Sequence, residues 1–184
     1  MTSVSQLRTA IAMMILLAPV ACVPPAGPPP PAPPPPAPVA PAPAPAPPLP
    51  SDWRDWPVAA GDWSYRAIED GSIASFGQPG QAPLLTVRCM IATRTVAFSR
   101  LLPVAALPAG GQITVHTSFG DMQWPIAVSG GPDATATATR AANDTGLDRI
   151  SFSRGRFALE APGAVPIAVP NWAEISRVIE DCRE

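Results

Sequence analysis

The chain contains no lysine; all 12 of its basic residues are arginine. That bias reads either as anion recognition or as GC-rich codon usage, since alanine, proline, glycine and arginine share such codons. Histidine is nearly absent too, with His116 the one imidazole, and there are only three cysteines. A metal site would need more ligands than His116 and two cysteines readily supply. No Gly-x-Ser-x-Gly elbow and no glycine-rich phosphate loop occurs. The acids are too dispersed to nominate an acid/base pair, and a triad on His116 would need a serine and an acid that no motif identifies. The expectation is therefore a protein that is not an enzyme, with no catalytic residues, no metal and no cofactor, and with His116 solvated or locally hydrogen-bonded. Beyond residue 51 there are 11 arginines against 14 aspartates and glutamates. Such a mildly acidic balance lacks the basic patch that nucleic acid requires.

What is abundant is proline. Between Pro24 and Pro50, 17 of 27 residues are proline and most of the rest are alanine. Proline fixes φ and offers no N–H, so neither helix nor sheet can use this run. It reads as a polyproline II spacer reaching on the order of 80 Å at about 3.1 Å per residue. No charge within the run orients it for PxxP docking, which makes spacer the preferred reading over ligand.

The run divides the chain into an amino-terminal segment, residues 1–21, a tether, 22–50, and a globular domain, 51–184. The amino-terminal segment carries Arg8, no acid, and the apolar stretch Ala10–Leu17, too short to span a bilayer as a stable helix. It reads as a signal peptide. Its end, Ala18-Pro19-Val20-Ala21-Cys22, resembles the lipobox of bacterial lipoproteins, in which a small residue precedes the cysteine that becomes lipidated; Pro19 stands where that pattern usually has leucine. The resemblance implies lipidation at Cys22 and several acyl chains, enough for stable anchoring. Ordinary cleavage near Ala21 and an uncleaved anchor are the alternatives. Val23, in place of the aspartate that favours inner-membrane retention in that family, leans towards a periplasm-facing outer-membrane location, with the inner membrane or secretion as the other outcomes.

The domain reads as mainly β: a single antiparallel sandwich or barrel-like unit with one short internal helix and an amphipathic C-terminal helix. Strands are expected over 62–68, 72–76, 84–91, 94–100, 112–118, 122–128, 134–140, 156–160 and 165–169, from period-2 alternation bounded by turn residues. Glu69-Asp70-Gly71 supplies the first hairpin turn. The stretch 134–140 (ATATATR) reads as a weak or edge strand. In 84–91, Leu85, Val87, Cys89 and Ile91 share one face. Asp144 is placed to cap a helix over 145–153 that Gly155 ends. Asn171, with Glu174 three residues on, reads as a capping box for the last helix, whose stripe is Trp172, Ile175, Val178, Ile179 and Cys182. Two independent periodicities thus turn Cys89 and Cys182 inward, and in an exported protein they are expected to pair as a disulfide.

Trp53, Trp56 and Trp63 could form a platform for a sugar ring or plug the end of the β fold. Arg154 and Arg156, around Gly155, are the one distinctive surface candidate. They could hold a carboxylate or phosphate bidentately, or pair with Glu180 or Asp181 and fix the last helix to the sheet. Asn143-Asp144-Thr145 matches the N-glycosylation pattern, which carries no weight in a chain of bacterial type.

The segment Leu147–Phe157, followed by Pro170-Asn171-Trp172-Ala173-Glu174 and Arg177–Arg183, resembles an uncharacterised family of exported Gram-negative proteins that brings no known activity. In layout the domain is similar to β-sandwich proteins of the invasion-associated locus B type, which implies an envelope protein without a catalytic site. Together these readings give a membrane-tethered envelope lipoprotein. Its periplasmic β domain is a non-catalytic binding or structural module, anchored through lipid and facing an envelope protein or glycan. The alternative is a lipoprotein inhibitor of a hydrolase such as lysozyme. Inhibitors of that kind carry a Ser-Gly-x-x-Tyr-like loop, which Asp70-Gly71-Ser72-Ile73 does not match.

Overall fold

Alternation of buried and exposed side chains builds two antiparallel sheets. In the computed structural model, which describes residues 48–102, 111–131 and 134–184, the strands are β1 (Asp62–Ile68), β2 (Gly71–Gly77), β3 (Leu85–Met90), β4 (Thr95–Leu101), β5 (Gln112–Thr117), β6 (Gly120–Pro125), β7 (Ala127–Val128), β8 (Thr135–Ala141), β9 (Arg156–Glu160) and β10 (Ile167–Pro170). The helices are α1 (Thr145–Ser151) and α2 (Ala173–Asp181). One sheet runs β1-β2-β3-β4-β8-β7 and the other β10-β9-β5-β6. All described residues belong to one compact unit, Ala46–Glu184. The signal segment, Cys22 and most of the proline run lie outside the described residues.

Register places the core. Trp63, Phe76, Leu85, Arg100 and Ala136 form one row across the six-stranded sheet; Tyr65, Ala74, Val87, Phe98 and Ala138 form the next. From the second sheet Ile113, Val115, Trp124, Phe157, Leu159 and Val169 complete the same buried cluster. Each of the large side chains among them contributes about 1.5–3 kcal/mol by leaving water. Over β1–β3, α2 packs on this sheet with Ile175, Val178 and Ile179 buried. The disulfide between Cys89 in β3 and Cys182 at the end of α2 closes that contact.

Several expectations shift. The strand expected over 122–128 is two strands in different sheets: β6 pairs with β5, and after Ile126, whose N–H goes to Gly111 O, β7 pairs with β8. Pro125 has no N–H to continue the first ladder. Far from weak, β8 pairs with β4 along seven residues, and only the two-residue β7 lies outside it. Its small Ala136 and Ala138 are fully buried, so it lies close under the opposite layer. Ile91 leaves the β3 face for a one-turn 3-10 segment and is exposed, and Trp172 is exposed at the start of α2. The capping box does not form. Trp172 is the N-cap, and the Asn171 amide donates instead to Ser151 O and Ser153 O. Those carbonyls lie at the end of α1 and just beyond it and have no partner within the helix, so the tertiary contact outcompetes the local cap. Asp144 does cap α1, accepting from Gly146 N at 2.7 Å.

Candidate functional site

The sheet exteriors carry two constructed features. The first is on the outer face of the four-stranded sheet, where Ala158 and Ala168 leave a shallow floor. The amino-terminal 3-10 turn Trp53–Asp55 lies on it, with Trp53 and Trp56 buried against both alanines and Leu49 packed alongside. His116, pointing outward from β5, sits beneath this turn. Its ring stacks on Trp53 at 6.0 Å and meets the Trp56 ring edge-on at 5.8 Å. Nε2 lies 3.1 Å from Glu160 Oε1 of β9. Nδ1 lies 2.8 Å from Asp121 Oδ1 of β6, but out of line for a hydrogen bond. Both ring nitrogens thus lie near carboxylates, and the ring is packed against two tryptophans. Arg156 completes the attachment, donating to Arg54 O at 3.2 Å and Trp56 O at 3.0 Å.

This arrangement answers the sequence candidates residue by residue. His116 is locally bonded, and its carboxylate partners were not identifiable from spacing. The tryptophans form no open platform: Trp53 and Trp56 are one buried cluster. Trp63 belongs to the main core, tilted against Phe76 and donating to Pro170 O at 2.8 Å. Arg156 secures the amino-terminal turn rather than the last helix. Arg154 is exposed, and its backbone N–H donates to Ser118 Oγ. Asp181, one acid expected to face these arginines, accepts from Tyr65 Oη at 2.7 Å, while Arg177 lies 4.0 Å over the Tyr65 ring.

A further arginine was not singled out by sequence at all. Arg100 is buried in the core row of β4. It donates to Leu84 O at 2.8 Å, Leu101 O at 3.4 Å and Val165 O at 3.3 Å, joining β4 to the loop before β3 and the loop before β10. Burial lowers its pKa from the ordinary arginine value.

The second feature is an open groove of about 780 Å³ on the outer face of β1–β3, walled by the loop from Gly77 to Pro83. Its floor is the outward row Ser64–Ser75–Thr86, which continues across the sheet as Ser99 and Thr137, hydroxyls 2.9 Å apart. Ile73 and Arg66 lie in the next row, and Gln78, Gln81 and Asp62 contribute polar groups at its margins. Such a lining offers hydroxyl, amide and guanidinium groups in a fixed array. It holds one carboxylate and no imidazole, so it supplies hydrogen bonds rather than an acid/base couple. Only the alternation of β1 to β3 hinted at it. The row is recognisable once the register is known.

Comparison with protein-family models, with curated proteins and with solved structures finds no match.

Proposed function

We propose that the protein is a tethered, non-catalytic binding module of the bacterial cell envelope. In this reading it is an outer-membrane lipoprotein anchored at Cys22, whose β domain is displayed on the proline-rich spacer. The groove on β1–β3 carries this reading, because it is concave, combines apolar walls with hydroxyl, amide and guanidinium groups, and is built on three paired strands. Sites positioned on sheet rather than on free loops hold their hydrogen-bonding groups in place before a ligand arrives. The ligand class it suits is a polar envelope polymer, glycan or extended polypeptide. The contact of His116 Nε2 with Glu160 and the packing of its ring against Trp53 and Trp56 support a structural rather than a catalytic histidine.

Two measurements test the reading. Ser75→Tyr fills the groove from its floor while keeping a residue suited to a strand. The chain is expected to sediment with purified peptidoglycan sacculi or to capture an envelope protein, with Ser75→Tyr reducing either at least tenfold. Equal binding by a folded Ser75→Tyr variant would discard the groove. Inhibition of a muramidase by the chain would replace the module with the inhibitor reading. For the anchor, palmitate labelling lost in Cys22→Ala is the expected result; an unlabelled, freely soluble protein removes it.

A further inference from the structure

The two sheets have four edges, and three are guarded. On β10 the edge is covered by the Val58–Ala59 segment, through the bridge Val58–Ala168 and the bond Ala59 N to Ala168 O. The edge strand β6 ends in Pro125 and carries Asp121, and β7 is only two residues long. Short strands, prolines and charges are the usual ways an edge is protected from pairing. The fourth edge, β1, is seven residues long, contains no proline, and has no backbone hydrogen bond outside its ladder with β2 among the described residues.

Register shows which groups are free. The two-residue turn Glu69-Asp70 closes on the pair Ile68–Gly71. In a hairpin of that length the closing pair is hydrogen-bonded and the pattern alternates from there. Arg66 and Ser64 therefore direct their backbone groups to β2, and Trp63 and Tyr65 direct theirs to the open edge. On the outer face the strand reads Asp62, Ser64, Arg66, and neither Asp62 nor Arg66 has an ion-pair partner among the described residues.

We propose that β1 pairs antiparallel with β1 of a second copy of this chain, about a two-fold axis at Ser64. In that register Trp63 meets Tyr65 of the second copy and Tyr65 meets its Trp63, each pair exchanging both hydrogen bonds. Asp62 faces Arg66 across the axis, twice. Ser64 meets its own copy in a non-hydrogen-bonded position, where strands bring α-carbons to about 4.5 Å and a small side chain fits. The sequence Asp-x-Ser-x-Arg is thus complementary to itself when reversed, as an isologous interface requires. No neighbouring register does this: a one-residue slip of the strands pairs hydrogen-bonded with non-hydrogen-bonded positions, moving the axis to Trp63 or Tyr65 sets Asp62 and Arg66 against uncharged residues, and moving it to Asp62 or Arg66 sets one of them against its own kind. The two sheets then join into one continuous surface, and the two grooves, whose margins include Asp62 and Arg66, meet across the axis. This pairing goes beyond the proposed binding function and does not depend on the anchor.

Sedimentation equilibrium on the full chain carrying Cys22→Ala, with no lipid to aggregate it, tests the pairing. A reversible dimer is expected at micromolar to high-micromolar concentration, weakening as salt is raised. Asp62→Arg and Arg66→Asp each place like charges opposite one another twice and are expected to raise the dissociation constant at least about tenfold. The double variant restores the attraction with its signs exchanged and should recover most of the lost affinity. Both residues are exposed, so the variants should melt like the parent. A monomer throughout the concentration range overturns the proposal. So does a dimer indifferent to both single reversals, or one that the double variant fails to recover. Groove binding without dimerisation would leave the function standing and remove only this interface.

Discussion

The α-carbons of Cys89 and Cys182 lie 5.4 Å apart, where the disulfide joins the carboxy-terminal end of β3 to the C-cap of α2. The two residues are separated by 93 positions in sequence. In the chain-entropy account, closing a loop of that length contributes about 4–5 kcal/mol. At nine residues, α2 is too short to persist without its packing. Replacing both cysteines by alanine should lower unfolding stability in urea by about 2–5 kcal/mol. Thiol titration of native protein should find Cys89 and Cys182 unreactive. Two free thiols there, in protein made under oxidising conditions, would contradict the bridge.

Among the described residues, the charged side chain of Arg100 is held in the core by carbonyls alone. Arg100→Ala removes the donors and leaves the carbonyls of Leu84 and Val165 without them, together with a cavity between the sheets. A loss of about 2–4 kcal/mol is expected in denaturant unfolding. Arg100→Met refills the volume but not the hydrogen bonds. It should recover only part of the loss if the carbonyl contacts matter, and nearly all of it if packing alone does.

These two sites show where sequence was informative. The alternation of β3 and the stripe of α2 each arise from a single buried face, so both cysteines could be turned inward from local pattern alone. Arg100 sits on an equally regular strand, but its partners come from loops 16 and 65 residues away, and no local pattern encodes them. The same holds for His116, whose environment draws on residues 53, 56, 121 and 160. The split between β6 and β7 was hidden because both halves look like strand; which sheet each joins is a tertiary decision. Asn171 shows the opposite case, a strong local capping signal that loses to the open carbonyls at the end of α1 and just beyond it.

The amino-terminal turn should behave as a local unit. It is held by the Trp53 and Trp56 contacts with His116, by Arg156, and by few other groups. His116→Ala is expected to increase hydrogen exchange and proteolytic nicking in residues 48–58 while shifting global stability by only about 1–2 kcal/mol. Cooperative loss of the whole domain would instead make this face part of the main core.

Asp52 gives that turn a pH dependence of known sign. Its carboxylate accepts the Arg54 backbone N–H at 2.9 Å, which is the main cause of a pKa below the ordinary 3.8; desolvation opposes this, and the Arg54 charge and side-chain hydrogen bond add to the lowering. A carboxylate with a depressed folded pKa contributes stability above its unfolded pKa and loses it as pH falls through the folded value. Opening of residues 48–58, followed by tryptophan fluorescence, should therefore rise as pH drops below about 3.8. Asp52→Asn, which can still cap but does not titrate, should flatten that part of the profile.

Gly71 and Gly80 both have positive φ, yet they should respond very differently to alanine. At Gly71, φ is +150° and a Cβ would lie 2.3 Å from the Cys89 carbonyl oxygen of the neighbouring strand. Neither atom belongs to a flexible side chain, so relief requires β2 and β3 to move apart, in the layer the disulfide fixes. At Gly80, φ is +77° and nothing lies within 4 Å of the added carbon, so only the backbone preference opposes it. Gly80→Ala should cost about 1 kcal/mol and Gly71→Ala about 2–4 kcal/mol. Urea unfolding of the two variants side by side measures the difference directly. Similar losses at both positions would mean that the β2–β3 contact at this end of the sheet is looser than the register places it.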